Sequence, residues 1–255
     1  MSPSFSLEGK TAIVTGASKW TGKTIALEMA KAGADLLICA RTPEPLEAAA
    51  QEVRSLGRKC VSVPTDVGDS EQVDNMVKKA REELGRIDIL VNSAGSDIIR
   101  PTLELREKDW DSMVRLNLKS HFLCSKTVAP VMIEQGGGSI ISIASTAGLR
   151  ASPTSSAYGA AKAGVMHLVM TLAVEWGKHK VRVNAVAPGF IDIPMHPDYL
   201  DHFPHLKAIY ERVPLGRAVT MEEVAAAVIY LASDAAACTT GVTIPLDGGM
   251  TSMLG

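Results

Sequence analysis

Thr11-Ala12-Ile13-Val14-Thr15-Gly16-Ala17-Ser18-Lys19-Trp20-Thr21-Gly22 reads as a short strand, a glycine turn and the opening of a helix. The first five residues are mostly β-branched, which favours an extended, buried strand. From residue 21 to 32, Ile25 and Met29, then Ala26 and Ala30, recur at helical spacing. Gly16 permits a sharp turn between the two elements, and Gly22 permits close packing of helix on strand. The spacing is looser than G-x-G-x-x-G, so the signal lies in its strand-turn-helix context. Such a turn aims free N–H groups and the positive end of a helix dipole at one point, where a pyrophosphate could sit.

The same rhythm continues along the chain. Strands are predicted at residues 35–40, 60–63, 87–91, 139–143, 181–187 and 242–246. Helices are predicted at 43–56 and 70–84, each closed by a glycine, and at 109–135, bent near Pro130. Two more are predicted at 155–179 and after Thr220, where Glu223 three residues on completes a capping box. Strands alternating with helices imply right-handed βαβ units. The predicted fold class is α/β: a single-domain, Rossmann-like, doubly wound parallel sheet over residues 1–255, with helices on both faces. Residues 193–214 break the rhythm with Pro194, Pro197, Pro204 and Pro214 among Tyr199, Phe203 and Tyr210. They are read as a lid over a substrate, with a purely structural excursion as the alternative.

Composition bounds the partners. A net charge of −2 gives no electrostatic reason to expect nucleic acid or an anionic membrane. No apolar run approaches the roughly 18 residues of a membrane span, and residues 1–10 lack the basic and apolar regions of a signal peptide. The four cysteines, Cys39, Cys60, Cys124 and Cys238, are widely spaced and form no C-x-x-C, which suits reduced thiols in a cytoplasmic protein. Cys124 has no adjacent base in sequence and is not a candidate nucleophile. His196, His202 and His205 are read as loop histidines rather than metal ligands, and no metal is expected.

Two features carry chemistry. The second predicted strand ends in Ala40-Arg41, with no carboxylate to accept from the ribose 2′-OH of NAD. Arg41, with Lys19 in the glycine turn, offers cations to a 2′-phosphate and so favours NADP(H) over NAD(H). Tyr158 and Lys162 stand at i and i+4, on one face of a predicted helix. A fixed cation beside a phenol favours the phenolate and tunes it as a general acid and base. An ordinary helix face with a Tyr and a Lys is the alternative for this pair taken alone.

Together these residues resemble the short-chain dehydrogenases/reductases over nearly the whole chain. Thr15-Gly16 to Gly22, with Ser18, is similar to the nucleotide loop, and Asp66-Val67 to the adenine-contacting pair. Asn92-Ser93-Ala94-Gly95 resembles the N-x-A-G motif, with Asn92, Ala94 and Gly95 at the cofactor. Pro188-Gly189 and Asp247-Gly248-Gly249 match further motifs. Asn117, Ser145, Tyr158 and Lys162 fall where the family's catalytic tetrad falls, Ser145 thirteen residues before Tyr158.

The resemblance implies an oxidoreductase interconverting a ketone and a secondary alcohol. Ser145 would stabilise charge on the substrate oxygen, and Tyr158 would exchange its proton. Lys162 would tune Tyr158 and hold the nicotinamide ribose, and Asn117 would position a water. It also implies a homo-oligomer, a dimer or tetramer, built on the two long helices. The C-terminal stretch is similar to gluconate 5-dehydrogenase-like members, and the body to 3-oxoacyl-carrier-protein reductases. The chain departs from the pattern at Trp20, where a glycine is usual. It departs again at Ile193, where a threonine hydroxyl usually meets the nicotinamide carboxamide; main-chain groups around Ile191 are the remaining anchor. A non-catalytic or regulatory nucleotide-binding protein on the same scaffold is the alternative.

Overall fold

Residues in the first strand, β1 (Thr11–Thr15), divide by parity. Ala12 and Val14 pack into one apolar layer and Ile13 into the other, and the whole strand is buried. That is the condition of a strand inside a parallel sheet covered on both faces. The computed structural model describes residues 4–192 and 202–253. Its further strands are β2 (Asp35–Ala40), β3 (Cys60–Pro64), β4 (Ile89–Asn92), β5 (Gly138–Ile143), β6 (Val181–Pro188) and β7 (Thr243–Leu246). They form a seven-stranded sheet in the order β3-β2-β1-β4-β5-β6-β7, with every neighbouring pair parallel.

The helices are α1 (Trp20–Lys31), α2 (Pro43–Ser55), α3 (Ser70–Leu84), α4 (Glu107–Val114), α5 (Ser120–Glu134), α6 (Ser156–Trp176), α7 (Pro204–Tyr210) and α8 (Met221–Ala232). Buried residues of α1, α2 and α8 fill the layer on one face of the sheet, and those of α3, α5 and α6 fill the other. The doubly wound α/β architecture expected from the sequence is therefore present.

Local chemistry explains the boundaries. Asp69 caps α3 by accepting from the N–H groups of Glu71 and Gln72, and Gly85 ends it in the left-handed region at φ 80°. Val73, Met76, Val77 and Ala80 lie on its buried side at helical spacing. The expected capping box opens α8: Glu223 N–H donates to Thr220 Oγ1, and Thr220 N–H donates to Glu223 Oε2.

Two expectations need correction. The helix expected over residues 109–135 is two α-helices joined by a π turn at Arg115–Lys119, where the Ser120 N–H reaches back to the Arg115 carbonyl. Pro130 sits inside α5 without ending it, so the irregularity lies at Asn117 instead. Second, Ser156–His179 is long and apolar enough, by length and composition alone, to cross a membrane. Small and polar residues interrupt its apolar runs, so the sequence pattern hid this. In the fold it is a core helix that packs Val165 and Val169 beneath the sheet and buries the charged Lys162.

Sheet order places the site. From β1 the chain winds to β2 on one side and later returns to β4 on the other. The crevice that opens at the carboxyl ends of β1 and β4 is where such folds bind ligands.

Candidate active site

The turn after β1 brings two stretches of main chain nearly into contact. Gly16 has φ 69°, and a Cβ there would lie 2.7 Å from the Ala94 Cα. Thr15 fixes the approach, its Oγ1 accepting from the N–H groups of Ser93 and Ala94 at 3.0 and 3.1 Å. Between these segments opens a cleft of about 340 Å³. Gly16, Ser18, Lys19, Trp20, Gly22, Arg41, Asp66, Val67, Ala94 and Gly95 line it, so most of the expected cofactor residues come together there. Asn92 lies beneath, buried, with its Nδ2 donating to Ser125 Oγ at 3.1 Å.

The cleft suits an anionic nucleotide. The N-terminus of α1 carries no capping side chain and no acidic residue in its first turn, so its N–H groups and dipole are available to a phosphate. Lys19 and Arg41 stand at its rim. Asp66 is held by Arg115 at 2.9 Å and by the Gly68 N–H at 2.9 Å. Burial would raise its pKa, but these hydrogen bonds and the charges of Arg115 and Arg41 bring it below the ordinary carboxylate range. Trp20 is the irregular member. Its backbone is left-handed at φ 48°, a conformation that costs a side-chain-bearing residue roughly 1–2 kcal/mol. Its indole is partly exposed, and Lys19 Nζ lies 3.9 Å from the ring centroid.

The second half of the site is built by β5, the turn after it, and α6. Ser145 follows β5, and its Oγ accepts from the Ala147 N–H at 3.2 Å. The turn then lies directly on α6. A Cβ on Gly148 would meet the Ala163 nitrogen at 2.6 Å, and one on Gly159 would meet the Ala147 carbonyl oxygen at 2.9 Å. These two glycines let main chain touch main chain, setting the Ser145 turn against the helix that carries Tyr158 and Lys162. Lys162 is 3% exposed, and its Nζ donates to the Ile143 carbonyl at 2.7 Å. The same Nζ lies 5.6 Å from the Tyr158 ring centroid. Burial pulls the Lys162 pKa down to about 8, with the charge of Asp97 acting the other way.

Asn117 is fully buried in the π turn. Its Nδ2 donates to the carbonyls of Ser96 and Met113 at 2.9 and 3.1 Å, and its Oδ1 accepts from the Ser96 N–H at 3.3 Å. This clasp pins the loop after β4. Gly95 sits between the two halves of the site, where a Cβ would be 2.9 Å from Asn117 Oδ1 and 3.5 Å from Lys162 Nζ.

Pro188 ends β6, and Gly189 donates its N–H to the Leu246 carbonyl beside the Asp247 turn. Ile191 forms a parallel bridge with Val219 through the Phe190 carbonyl and the Asp192 N–H, which leaves Ile191's own N–H and carbonyl out of that pairing. Ile193, His196 and the first part of the expected lid lie outside the described residues. Within its described part, Tyr210 packs edge-on to Phe190 at 5.5 Å, and His205 Nε2 lies 3.2 Å from Thr154 Oγ1. Among the described residues no cluster of His, Cys, Asp or Glu could hold a metal ion.

Sequence reasoning missed Gly148, Gly159 and Asp97, and placed Thr15 in the nucleotide loop without its role as acceptor from Ser93 and Ala94. Asp97 accepts from Ser155 Oγ at 3.2 Å, and burial raises its pKa while Lys162 draws it back. Nothing local in the sequence marks Asp97, whereas Gly148 and Gly159 were visible as small residues flanking Ser145 and Tyr158.

Comparison with known proteins accords with this geometry. The family model described as enoyl-(acyl carrier protein) reductase matches residues 16–251. The chain belongs to the short-chain dehydrogenase/reductase family. It is 38% identical over 244 residues to the 3-oxoacyl-[acyl-carrier-protein] reductase of Thermotoga maritima, covering 96% of this chain and 98% of that one. It is also 38% identical over 246 residues to the 2-dehydro-3-deoxy-D-gluconate 5-dehydrogenase of Escherichia coli, covering 96% of each. A gluconate 5-dehydrogenase structure from Burkholderia cenocepacia, in complex with NADP and tartrate, superimposes with a TM-score of 0.92 at 32% identity over 98% of each chain. As a short-chain dehydrogenase/reductase the protein is an oxidoreductase.

Proposed function

We propose that this short-chain dehydrogenase/reductase interconverts a ketone and a secondary alcohol and prefers NADP(H). The observation that carries the proposal is the buried Lys162 ammonium beside Tyr158, with Nζ 3.5 Å from where a Cβ on the cleft-lining Gly95 would lie. When bound, the nicotinamide supplies or accepts the hydride. Ser145 Oγ donates to the substrate oxygen and stabilises the charge that builds there. Tyr158 gives its phenolic proton to that oxygen in reduction and takes it back in oxidation. The Lys162 charge favours the phenolate and so eases that transfer. Asn117 holds the Ser96 loop in place; because its amide is committed to Ser96 and Met113, a water there would be held by main chain.

NADP(H) preference is supported by Lys19 and Arg41 at the rim, and by the lack of a carboxylate at the end of β2. The adenosine half would meet Asp66, Val67 and Trp20. Carbonyl substrates of the oxoacyl or keto-sugar-acid kind are supported by the names of the relatives. A homo-oligomer is supported by Phe122, Met170 and Val174, exposed apolar residues on α5 and α6. A single catalytic domain in the cytoplasm is the accompanying proposal, and the four unpaired thiols accord with it.

The test is oxidation of NADPH and NADH against a panel of 3-oxoacyl thioesters, keto-sugar acids and simple ketones, with Tyr158→Phe as control. Turnover that Tyr158→Phe abolishes, with cofactor binding retained, is expected. Cofactor binding by the parent without turnover in either direction would replace this proposal with a regulatory nucleotide-binding role.

A further inference from the structure

The loop that leaves β4 passes from the cofactor cleft to the first turn of α6 in a few residues. Gly95 and Ser96 line the cleft, and a Cβ on Gly95 would lie 3.5 Å from Lys162 Nζ. Asp97 comes next, and its Oδ2 accepts from Ser155 Oγ at 3.2 Å. Ser155 caps the start of α6, where its carbonyl accepts from the Gly159 N–H at 2.7 Å. Tyr158 stands three residues on in that same turn, and side chains at that spacing are roughly 5–6 Å apart at Cβ. The Asp97 carboxylate is therefore bonded to the turn that carries the reacting phenol.

Asp97 is also short of donors. The residue is exposed, so its carboxylate can be reached from outside. A carboxylate has room for about four hydrogen bonds, and the Ser155 hydroxyl and the Ile98 main chain act on this one. The surrounding chain still raises its pKa by burial, against those hydrogen bonds and the charge of Lys162. Arg100, the nearest basic residue in sequence, turns instead to Asp109 at 3.6 Å, while its N–H donates to the Thr154 carbonyl.

The chemistry of that acceptor narrows what can lie against it. An apolar chain would strip water from the carboxylate and return no hydrogen bond. A substrate carboxylate would meet a like charge in Asp97, and a substrate ammonium would meet one in Lys162. A hydroxyl carries no charge and can donate. We propose that Asp97 is a specificity-determining residue that accepts a hydrogen bond from a hydroxyl next to the substrate carbonyl, so that the substrates are hydroxylated ketones. The inference rests on the catalytic reading given above and deepens it. A keto-sugar acid with hydroxyls beside its ketone and its carboxylate farther along meets the condition. A 3-oxoacyl thioester, whose ketone is flanked by hydrocarbon groups, does not.

Two arms test this. In the first, NADPH or NADH oxidation is followed with 3-hydroxy-2-butanone, 2-butanone and 2-oxobutanoate in the parent, Asp97→Asn and Asp97→Leu. Ratios of kcat/KM between substrates cancel any loss of folded enzyme. The ratio of 3-hydroxy-2-butanone to 2-butanone should fall about 10- to 100-fold in Asp97→Leu, the worth of one hydrogen bond to a charged acceptor. Asp97→Asn keeps an acceptor without the charge; it should retain part of that ratio and raise 2-oxobutanoate relative to 2-butanone about tenfold. Ratios within about twofold of the parent's in both variants overturn the proposal. The second arm needs no turnover. By calorimetry with NADP+ present, the parent should bind 2,3-butanediol about tenfold or more tighter than 2-butanol, and Asp97→Leu should erase the difference. No such difference in the parent overturns the proposal. A parent that binds the diol selectively but turns over no ketone or alcohol defeats the proposed function and leaves this inference standing.

Discussion

Replacing Lys162 by Met should change how stability depends on pH, and the size of the change follows from burial. Lys162 is 3% exposed, and its pKa falls from 10.5 to about 8 on folding. A depression of that size corresponds to about 3 kcal/mol, at about 1.4 kcal/mol per pH unit. The sign is that of a base made less basic. Below pH 8 both states bind the proton and the folded state bears the full penalty. Between about 8 and 10.5 the unfolded chain still holds the proton while the native protein has released it, so this group makes stability rise with pH. In Lys162→Met that contribution is gone, and the Ile143 carbonyl loses its donor at a pH-independent cost of about 1–3 kcal/mol. Urea denaturation of both proteins at pH 7.5 and 9.5 reads the effect, to which any shift of the Tyr158 phenol towards phenolate in the parent adds with the same sign. Titrations shared by the two, such as those of Cys39 and Cys60, whose thiols burial pushes up to about 12, cancel in the difference. The stability difference should move towards the parent by about 2 kcal/mol between the two pH values. A difference constant to within about 0.5 kcal/mol would refute the claim that the ammonium is desolvated, and with it the basis for tuning Tyr158.

Three further outcomes are expected. Arg41→Ala should weaken NADPH binding about 10- to 100-fold, the worth of one charge-assisted contact to phosphate, and leave NADH nearly unchanged by fluorescence titration; equal losses for both would remove Arg41 from 2′-phosphate recognition. Trp20→Gly frees Lys19 from a ring contact worth about 0.5–1 kcal/mol and should tighten NADPH by about 2- to 5-fold, while unchanged affinities for both cofactors would place the indole outside the adenosine site. Gly16→Ala puts a methyl group 2.7 Å from the Ala94 Cα at a left-handed φ; it should cost about 2–4 kcal/mol in chemical denaturation, and a stability equal to the parent's would show that the two turns can move apart freely.

Legibility in the sequence varied with the range of the determining interaction. Strands such as Thr11–Thr15 and Asp35–Ala40 emerged with the expected bounds because burial on both faces leaves unbroken apolar runs. The capping box at Thr220 and Glu223 is written within four residues and was equally plain. The π turn at Arg115–Lys119 was not, because one extra residue in a helical turn leaves no compositional mark, whereas Pro130 is conspicuous and here changes little. Tyr158 and Lys162 were found because their partnership is local. Asp97 was not, because what distinguishes it is burial and the field of a residue far along the chain.

The main-chain contact through Gly148 and Gly159 has a bearing on how this scaffold tolerates change. Because backbone rests on backbone, the separation between the serine turn and the tyrosine helix is a rigid dimension that no rotamer elsewhere can stretch. Walls that select the substrate can be recut, by drift or by design, while the reacting groups stay in gauge. A single methyl group at either glycine, by contrast, should spoil every substrate alike.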